Sequence, residues 1–379
     1  MMLPSETDGD GRVHLQIQLN KLYLKTSACT YTNLAIATVQ DLGLNKPVSS
    51  EPSQSSCILH AFGKDTRPMR TMEERRAVLG TFLLSSTIAS AIKVVDSLRW
   101  TAHMDDCLRE LEARPEHPLD AVLVQQVAVQ LVVERATLAR WYDTTMEPRS
   151  TARTPPALYC QALLSHLDDV RTACEPNVQQ HAVQLHTFAA QLVINEVALS
   201  DDPLIREQFD AMAPPSWARL RHLHACVSAI KSWTDVFFSL RPVEIRGWPV
   251  TLMLQFRHCI GMLFILSTLD DPLWSKEDVR STIDLIAIIE RACNLFRSVA
   301  DASGIDTDLE VRGQDVWTHS AEKMHTLATN WAVKLAPQPA TVSENGYANL
   351  TAASGVNSGV FADWSALDFE FDWGGANIY

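Results

Sequence analysis

Apolar residues recur at helical spacing over long stretches of this chain, and short polar segments separate these stretches. Thr71-Met-Glu-Glu74 has the Thr-x-x-Glu form of a capping box, in which two side chains satisfy free amides at the start of a helix. The segment that follows, residues 75–95, is apolar on most faces, as a central helix is. The pattern therefore predicts a long buried helix that begins near Thr71.

Two other segments show helical periodicity. Residues 121–140 contain many valines, which favour strands, but Gln126, Gln130 and Glu134 recur every four residues along one stripe. We therefore predict a helix there. A further amphipathic helix is predicted after Ser275-Lys-Glu-Asp278, with apolar positions at Val279, Ile283, Ile286, Cys293 and Phe296.

Prolines lie between the periodic segments, where the missing backbone donor breaks a helix at least cost. They are Pro115, Pro118, Pro155, Pro156, Pro214, Pro215, Pro242, Pro249 and Pro272. The sequence contains no repeat of fixed period, and alternating runs are too few for a sheet. The predicted fold class is all-α, an irregular bundle of about ten helices.

The character of the chain changes after Lys334. Ala, Pro, Ser, Asn and Gly dominate up to Val360, and residues 335–379 contain five acidic and no basic side chains. Such a segment buries too little apolar surface to offset its ordering entropy. We therefore predict a loose N-terminus at 1–13, a helical regulatory domain at 14–334, a disordered linker at 335–360 and an acidic aromatic tail at 361–379.

The net charge of the chain argues against a surface that binds polyanions such as nucleic acids. The net charge is −13, the isoelectric point is near 5.4, and the sequence contains no dense cluster of Lys and Arg. The first residues lack the basic and apolar regions of a secretory signal, so we expect an intracellular protein. The longest apolar run, residues 259–266, is far shorter than the ~20 residues of a membrane span and indicates a buried helix.

Motifs of catalysis and metal binding are scarce. No two of the eight cysteines are closer than fourteen positions, which favours free buried thiols over a zinc or disulfide framework. Asp168-Asp169 and Asp270-Asp271 lack the third carboxylate one turn on that a magnesium-diphosphate site needs. His222 and His224 are two positions apart and point in different directions on a helix, so they form no chelate. We expect no catalytic site, no metal site and no cofactor.

Three stretches in the first third of the chain form an ordered set: Asp41-Leu-Gly-Leu-Asn-Lys-Pro47, a segment at 70–86 that begins Arg-Thr-Met-Glu-Glu-Arg-Arg, and a segment at 96–111 that begins Asp-Ser-Leu-Arg-Trp. Together they resemble the middle homology region of fungal zinc-cluster transcription factors. Leu79 stands where that family usually has Trp, and Ser85 where it usually has Asp. The motif residues that the resemblance marks as structural are Asp41, Leu42, Gly43, Leu44, Arg75, Arg76, Phe82, Arg99 and Trp100.

The resemblance covers roughly residues 15–335 and implies the helical regulatory domain of a nuclear transcription regulator. Members of the family commonly end in acidic, aromatic segments that recruit coactivators or the general transcription machinery. The resemblance therefore implies an activator, with a metabolic or secondary-metabolite gene cluster as a candidate target and a small-molecule inducer as a candidate ligand.

The family's N-terminal DNA-binding module, in which six cysteines hold two zinc ions, is missing from this chain. Cys29 and Cys57 are too far apart to be its remnant. Two interpretations follow: a truncated regulator, or a relative that reaches DNA only indirectly through a partner. A helical enzyme of secondary metabolism with an unrecognised active site is the alternative outside this family.

The end of the chain, residues 361–379, carries six aromatic and four acidic side chains. On a helix, three of its apolar residues share one face with the preceding valine at spacings of four, three and four: Val360, Trp364, Leu367 and Phe371. Aromatic anchors would supply affinity for a partner, while the carboxylates keep the free segment soluble and steer it. The alternative is that this end docks on the chain's own helical domain. The predicted partner-binding residues are Trp364, Leu367, Phe369, Phe371 and Trp373.

Overall fold

A computed structural model describes most of the helical part of the chain. The described residues are 29–47, 70–92, 96–137, 156–173, 181–200, 215–247, 249–303 and 316–336. Every regular element within these ranges is a helix, and none of them contains a strand. The predicted all-α, irregular bundle is therefore confirmed.

Several of the helices begin at a proline. In chain order the helices are α1 (residues 29–41), α2 (Met72–Ile92), α3 (Ala102–Ala113), α4 (Pro118–Thr137), α5 (Pro156–Thr172), α6 (His181–Asn195), α7 (Pro215–Phe237), α8 (Pro242–Ile245), α9 (Val250–Thr268), α10 (Lys276–Thr282), α11 (Leu285–Ser303) and α12 (Val316–Leu335). A 3-10 turn, Glu196–Leu199, follows α6. Proline suits the first position of a helix because its missing N–H has no intrahelical acceptor there.

The start of α2 is the predicted capping box. The Thr71 Oγ1 atom accepts the Glu74 N–H at 3.2 Å, and the Glu74 Oε2 atom accepts the Thr71 N–H at 2.9 Å. Both bonds satisfy amides that the helix itself leaves free. The helix then runs 21 residues, with Val78, Leu79 and Phe82 fully buried.

The single helix predicted after Ser275 is wrong, because two helices are present. Ile283 closes α10 in an extended conformation, with φ −151° and ψ 112°, and its N–H reaches the Val279 carbonyl. Asp284 then starts α11, since its Oδ1 atom accepts the N–H groups of Ile286 and Ala287 at 2.9 and 3.1 Å. An aspartate in this position is a strong helix N-cap, and it divides the predicted helix in two.

The helix predicted from the valine-rich segment is present as α4, and two of its glutamines bond neighbouring helices. The Gln130 Nε2 atom donates to the Ser86 Oγ on α2 at 2.9 Å, and the Gln125 Nε2 atom donates to the Val170 carbonyl on α5 at 2.8 Å. Glu134 accepts the Ser97 hydroxyl at 3.0 Å. Burial of amides is tolerated because each one finds a partner.

Two apolar clusters form the core. The smaller contains the end of α1, α2, α3 and part of α4; the larger extends from the second half of α4 to α12. Four aromatic rings meet at its centre, with centroids 5.0 to 6.4 Å apart in the contacting pairs: Trp233, Phe237, Phe256 and Phe296.

Helix α9 is a central helix of the larger cluster. Among the described residues it is the one helix long and apolar enough, by length and composition, to cross a membrane, with a mean hydropathy of 1.5. Phe256, Met262 and Leu263 are nevertheless fully buried by neighbouring helices. The buried helix predicted from the longest apolar run is therefore present.

Helices α11 and α12 pack antiparallel. The Cys293 thiol donates to the Ala321 carbonyl at 3.3 Å, and Arg280, in α10, donates to the Leu335 carbonyl at 3.1 Å. Arg280 also donates to the Ser267 carbonyl at 2.9 Å. The end of α12 is thus fixed beside the end of α9, and this is the point from which residues 337–379 leave the described part of the chain.

Candidate functional site

The first motif stretch terminates α1 in a Schellman motif. Gly43 has φ +63°, a left-handed conformation that glycine adopts without a side-chain penalty. Its N–H bonds the Gln40 carbonyl at 3.0 Å, and the Leu44 N–H bonds the Val39 carbonyl at 2.9 Å. Val39 and Leu44 are both buried in the smaller cluster, whereas Leu42 remains 63% exposed. The glycine and the second leucine are therefore the residues that this turn requires.

Side chains from the other two motif stretches hold the turn in place. The Arg70 guanidinium donates to the carbonyls of Gly43 and Lys46. The Thr101 hydroxyl, at the start of α3, donates to the Asn45 carbonyl at 3.1 Å. Three segments distant in sequence thus meet at one junction, which we call the motif junction.

The second and third stretches also contact each other. Phe82 is fully buried, and its ring packs edge to face on Trp100 with the centroids 4.6 Å apart. The Trp100 indole N–H donates to the Asp105 carboxylate at 2.8 Å. The Ser85 Oγ accepts the Leu98 N–H at 3.1 Å, so the residue that departs from the family pattern still supplies an acceptor.

An ion pair joins the start of α2 to the start of α4. The Arg76 Nε and Nη2 atoms bind both oxygens of Asp120 at 2.8 and 2.9 Å, and Nη2 also contacts Glu116 at 2.9 Å. Asp120 further accepts the N–H groups of Glu116 and His117. The hydrogen bond from Arg76 is the main cause that holds the pKa of the Asp120 carboxyl well below its usual range. The carboxylate is therefore charged at every physiological pH.

Arg75 contacts a thiol rather than a carboxylate. Its Nη1 atom lies 3.9 Å from the Cys107 Sγ, which lies 3.5 Å from the His103 Nε2. Burial raises the pKa of the Cys107 thiol, and burial together with the charges of Arg70 and Arg75 lowers the pKa of His103. At neutral pH the thiol is protonated and the imidazole is neutral, so this group is part of the packing and has no activated nucleophile.

The structure places the predicted motif residues Gly43 and Leu44 at the motif junction and packs Phe82 against Trp100. Asp41 is the exposed last residue of α1, and Arg99 is exposed in the segment before α3. Leu42 is exposed as well, whereas Arg75 contacts Cys107 and Arg76 binds Asp120. The predicted tail residues Trp364, Leu367, Phe369, Phe371 and Trp373 lie outside the described residues.

Sequence reasoning missed Asp120 as a partner of the motif. Asp120 lies 44 residues from Arg76, and no local pattern links the two positions. Thr101 carried a usable signal, because a threonine before an apolar helical segment is a typical N-cap, and its hydroxyl does accept the Met104 N–H. Arg70 is the first residue of the second motif stretch and carried no separate signal.

Buried histidines form a second polar set, in the larger cluster. Gln255 accepts the Trp233 indole N–H at 3.4 Å and therefore donates through Nε2 to the His186 Nδ1, 2.8 Å away. The His222 Nδ1 contacts the Asn195 Oδ1 at 2.7 Å. Burial lowers the pKa of both histidines to about 4, so both rings are neutral at pH 7.

The remaining candidate chemistry consists of local structural contacts. His224 is exposed and lies against the Trp274 ring, on a different side of α7 from His222, as predicted. Members of the Asp-Asp pairs form ion pairs with nearby cations: Asp106 with Arg109, Asp168 with Arg171, Asp270 with Lys276 and Asp271 with Arg219. Within the ranges that the structure describes, no group of three His, Cys, Asp or Glu side chains is placed to hold a metal ion.

Comparison with known proteins gives related sequences of one kind. Residues 242–369 match a family model described as a C-terminal domain. The chain is 32% identical over 362 residues to "Transcription factor opdL" of Penicillium oxalicum, covering 93% of this chain and 62% of that protein. This chain is a homologue of fungal transcription factors. The resemblance to fungal transcription factors is therefore confirmed.

A second relative supports the same relationship over a shorter range. It is a "Transcription factor" of Aspergillus terreus, 32% identical over 215 residues, which are 55% of this chain and 36% of that protein. The chain thus spans less than two thirds of either curated relative. No solved structure matches this chain. The family-model match begins at α8 and continues past the end of α12 into the first residues of the predicted tail.

Proposed function

We propose that this chain is the regulatory and activating part of a nuclear transcription regulator. The observation that carries this proposal is the 32% identity to a transcription factor along 93% of the chain. Identity over that length includes both core clusters and the motif junction. The proposal therefore concerns the helical domain as a whole.

The described side chains favour a scaffold over an enzyme. Asp120 is charged but fully engaged by Arg76 and two backbone amides, and the Cys107 thiol is protonated. The neutral His186 and His222 are buried among core helices. We infer that these groups stabilise the fold and that the chain is not an enzyme.

The activating segment in this proposal is residues 361–379. Its anchors would be Trp364, Leu367, Phe369, Phe371 and Trp373, which bury apolar surface in a groove of a coactivator or of the general transcription machinery. The four carboxylates among them would speed association with a basic groove. A segment of this kind orders only on binding, so its activity rests on a few side chains.

DNA contact and ligand control belong to the same proposal. With a net charge of −13, the chain would reach promoters through a zinc-cluster module outside it or through a partner protein. We infer a metabolic or secondary-metabolite gene cluster as its target and a small-molecule inducer bound by the helical domain.

The test fuses residues 361–379 to a foreign DNA-binding domain and measures reporter expression. We expect activation by the fusion, and a loss with Trp364→Ala, Phe371→Ala or Trp373→Ala, each corresponding to about 1–3 kcal/mol of partner binding. Replacement of Asp368, Glu370 and Asp372 by their amides should cost less than replacement of two aromatic residues.

The matched control is Asn377→Ala, which changes a polar residue of the same segment and should leave activation unchanged. Expression levels of all fusions are compared by immunoblotting. An inert fusion, or equal losses for the control and the aromatic variants, would contradict the proposed activator.

A further inference from the structure

We draw no further inference here: the strongest candidate, the exposed apolar patch that Tyr31 and Leu34 form on one face of α1, carries nothing because no observation in the structure shows what covers it.

Discussion

The Ser85 hydroxyl accepts the backbone N–H of Leu98 at 3.1 Å and thereby joins α2 to the segment before α3. Both residues are buried, so no water replaces this bond. The aspartate usual at this position in the family is also a hydrogen-bond acceptor, and the smaller serine provides the same function without a charge. The motif junction therefore depends on an acceptor at position 85.

Ser85→Ala should destabilise the domain by about 1–3 kcal/mol, because the Leu98 N–H would remain buried without an acceptor. Urea unfolding followed by circular dichroism measures this change. The control is Ser90→Ala, whose hydroxyl donates to the Ser86 carbonyl within the same helix. We expect the control to change stability by less than about 0.5 kcal/mol, and equal effects would contradict the assignment.

Two glycines should respond to alanine with opposite signs. Gly43 has φ +63°, so Gly43→Ala should cost about 1–2 kcal/mol in backbone strain even though the nearest side-chain atom leaves room for Cβ. Gly80 lies inside α2, where an added Cβ would have no neighbouring atom within 4 Å, and Gly80→Ala should stabilise the helix by about 0.5–1 kcal/mol. Thermal unfolding compares the two variants. An unchanged melting temperature for Gly43→Ala would contradict the predicted backbone strain.

The buried histidines predict a loss of stability in mild acid. His186 and His222 have pKa values of about 4 in the folded chain, below the usual value of about 6.5 in an unfolded chain. Between these values the unfolded state binds more protons, so stability is complete above pH 6.5 and falls as the pH decreases toward 4. The expected loss is up to about 3 kcal/mol for each ring.

Urea unfolding between pH 4.5 and 7.5 measures this dependence. His186→Gln should reduce the slope of the free energy of unfolding against pH, because the neutral amide takes up no proton in this range. The exposed His325, replaced by Gln, is the control and should leave the slope unchanged. If stability still fell with decreasing pH after both buried histidines were replaced, other groups would be the cause of the acid sensitivity.

Asp120→Asn should destabilise the domain by about 1–3 kcal/mol, because the amide cannot accept both guanidinium bonds and two backbone amides. Glu116→Gln provides the comparison at the same guanidinium, since the Glu116 side chain is 57% exposed and should contribute less than about 0.5 kcal/mol. Chemical denaturation of both variants distinguishes the buried from the exposed partner. A larger effect of Glu116→Gln would contradict this ranking.

The purified chain should bind duplex DNA weakly, with a dissociation constant above about 1 µM at physiological salt and no preference for sequence. The reason is its net charge of −13. Gel shifts with random and promoter duplexes measure the affinity, with a basic DNA-binding domain as the positive control. Tight, sequence-selective binding by this chain alone would contradict the prediction.

Local signals in the sequence were sufficient for most of the fold. The capping box before α2 and the period of Gln126, Gln130 and Glu134 are short-range patterns, and both helices are present. The division between α10 and α11 was missed because the apolar spacing continues across Asp284, although an aspartate before an apolar run is itself a capping signal.

The contacts that hold the motif stretches to each other and to α4 could not be predicted in the same way. Arg76 and Asp120 are 44 residues apart, and only the packing of α2 against α4 brings them together. The three motif stretches were recognised by their order, but the sequence did not show that Arg70 and Thr101 bind carbonyls of the turn at Gly43. Side chain to backbone bonds of this kind leave no pattern in a single sequence.

The glutamines of α4 have a consequence for how this bundle can deform. Apolar side chains tolerate small sliding between helices, but hydrogen bonds have narrow ranges of distance and angle. Gln125 and Gln130 bond two different neighbours, the Val170 carbonyl on α5 and the Ser86 hydroxyl on α2. A displacement of α4 by one turn, about 5.4 Å, would break both bonds at once and leave buried amides unsatisfied. Movements that preserve both bonds are therefore rotations or bending of whole helices, in which α4 keeps its axial position relative to α2 and α5.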